Sequence, residues 1–207
     1  MPSNTTVRIG IVGAGFLGET RARCYRQIGG YHAELTAIAD PNEDRARSFS
    51  ERYGVRHVLP DYETMFARED IDLVDLCVPN HLHRPVAEAA AQAGKHIVVP
   101  KPMTAYVGQD LDQSAAGTQV AEQSRETMLQ VATAEAQAMV DAAREAGVKL
   151  MYGENWVYAP SVQRAAELMG ESDGSIVEMR GGECHSGSHS PFSKQWQYAG
   201  GGALIRL

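Results

Sequence analysis

Three glycines near the N-terminus are spaced as G-x-G-x-x-G in the hexapeptide GAGFLG, which supplies Gly13, Gly15 and Gly18. They follow the β-branched apolar run VRIGIV and precede a segment of helical character. The first glycine permits a tight turn, the second lets the backbone approach a pyrophosphate, and the third lets the helix pack on the strand. Free amides at the helix start would face the phosphates. The spacing therefore predicts a dinucleotide-binding turn, with Phe16 and Leu17 among its contact residues.

Asp40 stands at the end of the second apolar run, ELTAIAD, about twenty residues beyond the glycines, where dinucleotide-binding sheets carry an acidic residue. A carboxylate there can accept hydrogen bonds from both ribose hydroxyls of an adenosine and would repel a 2′-phosphate. This position favours NAD over NADP as the cofactor. The alternative is structural, because Asp40 could merely cap the turn that begins at Pro41.

Strand-like and helix-like segments alternate through the first half of the chain. The strand-like runs are apolar on consecutive residues, as is typical of strands buried on both faces of a parallel sheet. Right-handed crossovers between such strands build an α/β fold with a doubly wound parallel sheet of the Rossmann type. The pattern predicts strands at 7–13, 34–40, 56–58, 72–78 and 95–99, and helices at 16–28, 42–53, from 61, and at 81–93.

The second half of the chain is patterned differently. Residues 105–126 are polar and weakly patterned. Thr127 and Gln130 then fit a capping box that opens a helix, and Gly147 closes it. The remaining predicted elements are a strand at 148–153, a helix at 161–169 and a strand at 174–182.

These elements divide the chain into two units. We expect a dinucleotide-binding domain at 1–153, with an insertion near 105–126. We expect residues 154–207 to be the incomplete start of an α+β substrate and oligomerisation domain, since its first strand has barely begun when the chain ends.

Several motifs in a fixed order complete the pattern: GAGFLG, ADPNEDRA, VPNHLHRPVAEAAAQAGKHIVVPKP and LMYGENWVYAPSVQRA. Together they resemble the Gfo/Idh/MocA family of sugar and polyol oxidoreductases, from Val7 to the last residue. The resemblance implies that Pro79, Asn80 and His83, in the turn P-N-x-x-H, lie beside the nicotinamide end of the cofactor.

The resemblance also implies that Lys101 is the catalytic residue and faces both nicotinamide and substrate, because it matches the lysine of the family's E-K-P motif. A partly desolvated ammonium can bind and polarise a carbinol hydroxyl and relay its proton. The residue types alone favour a solvated loop lysine before a proline. We expect hydride transfer between NAD and a secondary alcohol of a sugar or polyol. A non-catalytic or regulatory dinucleotide-binding module is the alternative.

Three departures from the family pattern bear on this expectation. Pro100 replaces the glutamate that usually precedes the lysine, which removes a carboxylate neighbour. The stretch 105–126 is longer than the family's usual connection. Residues 153–158, GENWVY, match the family's G-F-N-R-R-F, keep Asn155 as a candidate substrate contact and lack both arginines.

A polar segment near the C-terminus, ECHSGSHS, holds Cys184, His185 and His189 at close spacing. Such spacing suits zinc, but no fourth ligand stands out, so we expect no metal. In the family this part of the chain builds the sugar pocket, and the resemblance makes both histidines candidate substrate contacts. Trp196 either stacks on a sugar face or packs against other side chains.

The composition is globular, with 207 residues of which 43% are hydrophobic, a formal net charge of -7 and a pI of 5.5. This charge argues against binding to nucleic acid or anionic membranes, which need a concentrated basic face. The scattered cysteines suit a reducing compartment, and the N-terminus lacks a leader pattern. We expect a cytoplasmic protein, and the resemblance implies homo-oligomers formed through the second domain.

The last residues, GGGALIRL, match the family's G-G-G-x-L segment, which opens a helix beside the nicotinamide. Arg206 occupies the position of the family's aspartate, and the family's histidine would fall beyond Leu207. We therefore expect that the sequence is cut inside its active-site helix, and that the chain binds NAD with little or no turnover.

Overall fold

The computed structural model describes residues 6–28, 32–112, 117–172 and 174–182. The strands in this part of the chain are β1 (Val7–Val12), β2 (Ala33–Ala39), β3 (His57–Leu59), β4 (Leu73–Leu76), β5 (His96–Pro100) and β6 (Leu150–Gly153). Every neighbouring pair is parallel, and the order across the six-stranded sheet is β3-β2-β1-β4-β5-β6. The order reverses between β1 and β4, so the predicted doubly wound parallel sheet is confirmed.

Helices follow the strands, as the alternation predicted. They are α1 (Phe16–Tyr25), α2 (Glu43–Tyr53), α3 (Tyr62–Phe66), α4 (His83–Gln92), α5 (Gly117–Glu122), α6 (Arg125–Glu145) and α7 (Pro160–Glu171), with 3-10 turns at Asn80–Leu82 and Trp156–Tyr158.

Two apolar clusters, one on each face of the sheet, hold the helices in place. On one face Ile11 of β1 and Ile38 of β2 pack with Phe49 of α2. On the other face Leu76 of β4 packs with residues of α3, α4 and α6, including Met139, which is 1% exposed. Since successive side chains of a strand point to opposite faces, both clusters need apolar residues from the sheet. This is why the strands appear in the sequence as continuous apolar runs.

Both ends of α2 carry local signals that the sequence pattern captured. The Asn42 side chain accepts a hydrogen bond from the backbone N–H of Arg45 at 2.9 Å, which caps the first turn. Gly54 ends the helix with φ of +69°, a conformation that glycine adopts without a Cβ penalty.

Two local predictions are wrong. The helix predicted from Thr127 begins at Arg125, because the Ser124 side chain accepts a hydrogen bond from the backbone N–H of Thr127 at 3.0 Å. Thr127 is therefore inside the first turn, and Ser124 is the cap. Residues 174–182 form no strand, because a strand needs a hydrogen-bonded neighbour and no described residue pairs with this segment.

The polar stretch 105–126 has buried side chains among its described residues. Tyr106 is buried, and its hydroxyl donates a hydrogen bond to Asp110 at 2.6 Å. The short helix α5, which the weak pattern did not predict, buries Val120. The described part of this stretch therefore contains buried positions that its polar composition did not indicate.

Helix α7 differs from the helices before it, because none of its residues is buried. Val162 and Leu168 on this helix are 44% and 51% exposed. The part of the described chain that is packed around the sheet therefore ends with β6. None of the helices in the described ranges combines the length and the apolar character that a membrane crossing requires.

Candidate functional site

The sequence-predicted site residues in the described ranges gather at one edge of the sheet, where the parallel strands end; we call it the carboxyl edge. Parallel strands bring their C-terminal ends together, and open α/β sheets bind ligands there. His185, His189 and Trp196 lie outside the described residues. The residues at the carboxyl edge are Gly13 to Gly18 after β1, Asp40 after β2, Pro79, Asn80 and His83 after β4, Lys101 after β5 and Asn155 after β6.

Two glycines of the turn at residues 13–18, the glycine turn, are required by close packing. Gly13 has φ of +104°, and a Cβ there would overlap the carbonyl oxygen of Cys77 on the neighbouring strand. A Cβ at Gly18 would overlap the carbonyl oxygen of Gly13. Larger residues at either position would therefore push α1 away from the sheet.

Gly15 has a different environment. It is the N-cap of α1, with φ of -82°, and a Cβ there would meet no atom within 4 Å. Phe16 beside it is 58% exposed, and Leu17 is half-buried. The open space above Gly15, next to the N-terminus of α1, fits the diphosphate of a dinucleotide.

Asp40 is only 4% exposed and accepts three hydrogen bonds from the protein. Its Oδ2 accepts from the backbone N–H of Ala14 at 2.8 Å, which ties the glycine turn to the end of β2. Its Oδ1 accepts from the backbone N–H of Asn42 at 2.9 Å and from the Arg45 guanidinium at 2.8 Å. The turn-capping role that the sequence left open for Asp40 is therefore present. A carboxylate offers about four acceptor positions, so room for one more hydrogen bond remains.

A cavity of about 470 Å³ opens beside Asp40, between the ends of β2 and β3. Its polar wall includes Glu43 and Arg47, which form an ion pair. The sequence analysis did not include the end of β3 in the site, although Pro60 directly follows that strand and marks its end. The lining residues are Asp40, Pro41, Glu43, Arg47, Val58, Leu59 and Pro60.

His83 is buried and lies between two backbone carbonyls. Its Nδ1 is 3.0 Å from the Met103 oxygen and its Nε2 is 3.1 Å from the Val78 oxygen. Burial lowers the pKa of His83, although both carbonyls favour the charged ring. The imidazole links the end of β4 to the loop that carries Lys101.

Lys101 follows β5 directly, and the Lys101–Pro102 peptide bond is cis. The residue is half-buried, whereas Pro100 and Pro102 on either side of it are buried. Within the described ranges its ammonium makes no hydrogen bond or ion pair. The residue therefore holds a cationic donor at the carboxyl edge without a carboxylate partner.

A cluster of Arg21 and Tyr25 from α1 and the buried Asp75 from β4 joins this helix to the sheet, and the sequence motifs did not indicate it. The Tyr25 hydroxyl donates to Asp75 at 2.8 Å, and the Arg21 Nε lies 3.5 Å from the same carboxylate oxygen. Burial raises the pKa of Asp75, while Arg21 opposes the shift. The Arg21 guanidinium also donates to the Gly153 carbonyl at 3.4 Å. The signal was the acidic Asp75 inside the apolar run DLVDLCV, since a buried carboxylate needs partners.

Residues after β6 are arranged by Glu154. Its carboxylate accepts hydrogen bonds from the backbone N–H groups of Asn155 at 2.8 Å and Trp156 at 3.1 Å. Asn155 is exposed beyond the end of β6. In the described ranges no group of three or more His, Cys, Asp or Glu side chains is arranged to hold a metal ion. Cys184, the remaining member of the candidate zinc cluster, lies outside those ranges.

Comparison with known proteins gives consistent matches. The model of the family GFO_IDH_MocA, described as "Oxidoreductase family, NAD-binding Rossmann fold", matches residues 7–133. The chain is 29% identical over 210 residues to levoglucosan dehydrogenase of Pseudarthrobacter phenanthrenivorans, covering 96% of this chain and 47% of that protein. It is 30% identical over 146 residues to D-xylose 1-dehydrogenase (NADP(+)) 2 of Haloferax volcanii, covering 70% of this chain and 37% of that protein.

A solved structure of levoglucosan dehydrogenase in complex with NADH and levoglucosan matches with a TM-score of 0.64 and 25% identity. This match covers 81% of the present chain and 40% of that chain. The chain thus spans less than half of the length of the relatives that it matches. The family match includes the glycine turn, Asp40, His83 and Lys101. The chain therefore belongs to the Gfo/Idh/MocA oxidoreductase family and contains its NAD-binding Rossmann fold.

Proposed function

We propose that this protein is an NAD-dependent oxidoreductase that transfers hydride between the nicotinamide cofactor and a secondary alcohol of a sugar or polyol. The main support for this proposal is that the glycine turn, Asp40 and Lys101 all lie at the carboxyl edge of the sheet. A dinucleotide laid along this edge from β2 across β1 towards β5 would reach Lys101 with its nicotinamide end. The names of the relatives, levoglucosan dehydrogenase and D-xylose 1-dehydrogenase, support a sugar substrate.

The residues that would hold the cofactor fit their tasks. The open backbone at Gly15 would face the diphosphate, and Asp40 would accept a hydrogen bond from the adenosine ribose. Pro79 and Asn80, in the turn after β4, would contact the nicotinamide end. Once bound, the nicotinamide supplies the acceptor or donor of hydride.

Lys101 would handle the proton of the reaction. In the direction of oxidation, Lys101 would bind and polarise the substrate hydroxyl and relay its proton to solvent as the carbonyl forms. In the direction of reduction, the ammonium returns that proton to the carbonyl oxygen. Its ammonium is without a carboxylate partner in the described ranges, so the group is available to the substrate. His83 would act on Lys101 indirectly, because it positions the loop at Met103.

The finer assignments belong to the same proposal. Residues 1–153 form the cofactor domain, and the absence of buried residues in α7 supports a second unit from residue 154. Asn155, and His185, His189 and Trp196 outside the described ranges, contact the substrate. The protein works in the cytoplasm and forms homo-oligomers through the second unit.

The test separates cofactor binding from chemistry. Turnover of a sugar and polyol panel that includes levoglucosan and D-xylose is measured for the full-length enzyme, for its Lys101→Ala variant and for the matched control Lys149→Ala, an exposed lysine next to β6. We expect Lys101→Ala to lower kcat by about 100-fold or more, as loss of a proton-transfer group does, and to change NADH affinity much less than kcat. NADH binding without turnover of any panel member by the unaltered full-length enzyme would contradict the proposal and favour the non-catalytic module.

A further inference from the structure

The ion pair between Asp40 and Arg45 changes the charge at the ribose end of the site. The guanidinium of Arg45 lies 2.8 Å from Oδ1 of Asp40, and its side chain is 51% exposed whereas that of Asp40 is 4% exposed. A carboxylate at this position discriminates against a 2′-phosphate by repulsion. A guanidinium in contact with the same carboxylate attracts a phosphate and can bind it in a bidentate manner.

The backbone holds Asp40 beside Arg45. Both carboxylate oxygens are fixed by main-chain donors, Oδ2 by Ala14 and Oδ1 by Asn42. Neither oxygen can turn towards a ligand without losing one of these hydrogen bonds, which a buried carboxylate cannot replace cheaply. A dinucleotide whose ribose contacts Asp40 would therefore also lie beside the guanidinium of Arg45.

The wall of the adjoining cavity is balanced in charge as well. Glu43 and Arg47 line the cavity and pair with each other, and their side chains are 70% and 65% exposed. Together with the pair of Asp40 and Arg45, they give two negative and two positive groups. These two pairs therefore add no net charge at this end of the site, which weakens the repulsion of a further phosphate.

We infer that Arg45 is a specificity-determining residue, and that by neutralising Asp40 it allows the site to accept a 2′-phosphorylated dinucleotide as well as NAD. This inference rests on the proposed function, since it concerns the same cofactor site. It departs from the sequence analysis, in which Asp40 alone made NADP an unfavourable cofactor.

The experiment measures the dissociation constants of NADH and NADPH by fluorescence for the unaltered protein, Arg45→Ala and Arg45→Lys. Arg144→Ala is the matched control, because Arg144 pairs with Asp141 at 2.8 Å on α6 and its loss changes the net charge equally. For the unaltered protein we expect NADH to bind less than about tenfold more tightly than NADPH, since tenfold corresponds to only about 1.4 kcal/mol.

Arg45→Ala should increase the ratio of the NADPH dissociation constant to the NADH dissociation constant by about tenfold or more, mainly through weaker NADPH binding, because a charged partner of the phosphate is lost. Arg45→Lys keeps the charge and should change the ratio by less than about threefold, and Arg144→Ala should leave it unchanged. An unchanged ratio in Arg45→Ala overturns the inference, and so does a ratio above about 100-fold in the unaltered protein. Failure of the unaltered protein to bind NADH contradicts the proposed function itself.

Discussion

Two single replacements by alanine in the glycine turn should have different effects: Gly18→Ala should lower stability, and Gly15→Ala should weaken NADH binding. At Gly18 the new Cβ would overlap the backbone oxygen of Gly13, which has no flexible side chain to move aside. Overpacking of this kind costs about 1–3 kcal/mol or more. For a chain of this size the melting temperature falls by about 2–4 °C per kcal/mol, so we expect a decrease of roughly 2–12 °C.

At Gly15 the new Cβ meets no atom within 4 Å, and φ of -82° suits alanine. The unfolded state loses entropy, which stabilises the variant by about 0.4–1 kcal/mol, while alanine at an N-cap costs a similar amount. The net change in melting temperature should therefore be close to zero. The Cβ would instead stand in the space that the diphosphate needs, and we expect the dissociation constant of NADH to rise by about tenfold or more.

The two readouts are differential scanning fluorimetry without cofactor and NADH fluorescence titration. Gly15→Ala and Gly18→Ala serve as controls for each other, because each adds the same methyl group to the same turn. NADH affinity that is unchanged in Gly15→Ala would refute the assignment of the open space to the diphosphate. A melting temperature that is unchanged in Gly18→Ala would refute the packing argument.

Two further predictions concern the core and pH. Met139 of α6 is 1% exposed, and Met139→Ala should lower the free energy of unfolding in urea by about 2–5 kcal/mol. Leu129 on the same helix is 68% exposed, and Leu129→Ala should change this free energy by less than about 0.5 kcal/mol. Burial lowers the pKa of His83 in the folded protein, so the unfolded protein binds more protons at this residue. The contribution of the neutral His83 to stability is therefore complete above the ordinary pKa of about 6.5. It declines as the pH falls towards the pKa of the folded protein. The free energy of unfolding in urea should therefore fall less between pH 7 and pH 5 in His83→Gln than in the unaltered protein, and equal decreases in the two proteins would contradict this role of burial.

The positions of the candidate site residues along the chain predicted that they lie at one edge of the sheet, but did not predict their hydrogen-bond partners. Gly13, Asp40 and Lys101 each follow an apolar run, and parallel strands bring such positions to one edge whatever the details of packing. The partner of Asp40 was not predictable in the same way, because the contact with Arg45 depends on how α2 enters its first turn and on one side-chain rotamer. Asp40 and Arg45 are both present in the segment DPNEDR, but nothing in that segment indicates that their side chains form an ion pair.

The wrong predictions have a common physical cause. Ser124 and Thr127 are both good N-cap residues, and the residue types alone do not decide between them. The apolar residues of 174–182 have strand character, but a strand also requires a neighbour, and local sequence does not reveal the neighbour. Asp75 was overlooked for a related reason, since its burial is compensated by Arg21 and Tyr25 from a helix fifty residues earlier in the chain.

The contact between Arg21 and Gly153 joins positions 132 residues apart. The end of the Arg21 side chain occupies the space that a Cβ at residue 153 would need, so a larger residue there would displace the guanidinium and break its hydrogen bond to the carbonyl of residue 153. The first helix of the cofactor domain and the strand that leads to the substrate segment should accordingly change together during evolution. A chimera that joins the cofactor half of one family member to the substrate half of another would need both positions from the same parent.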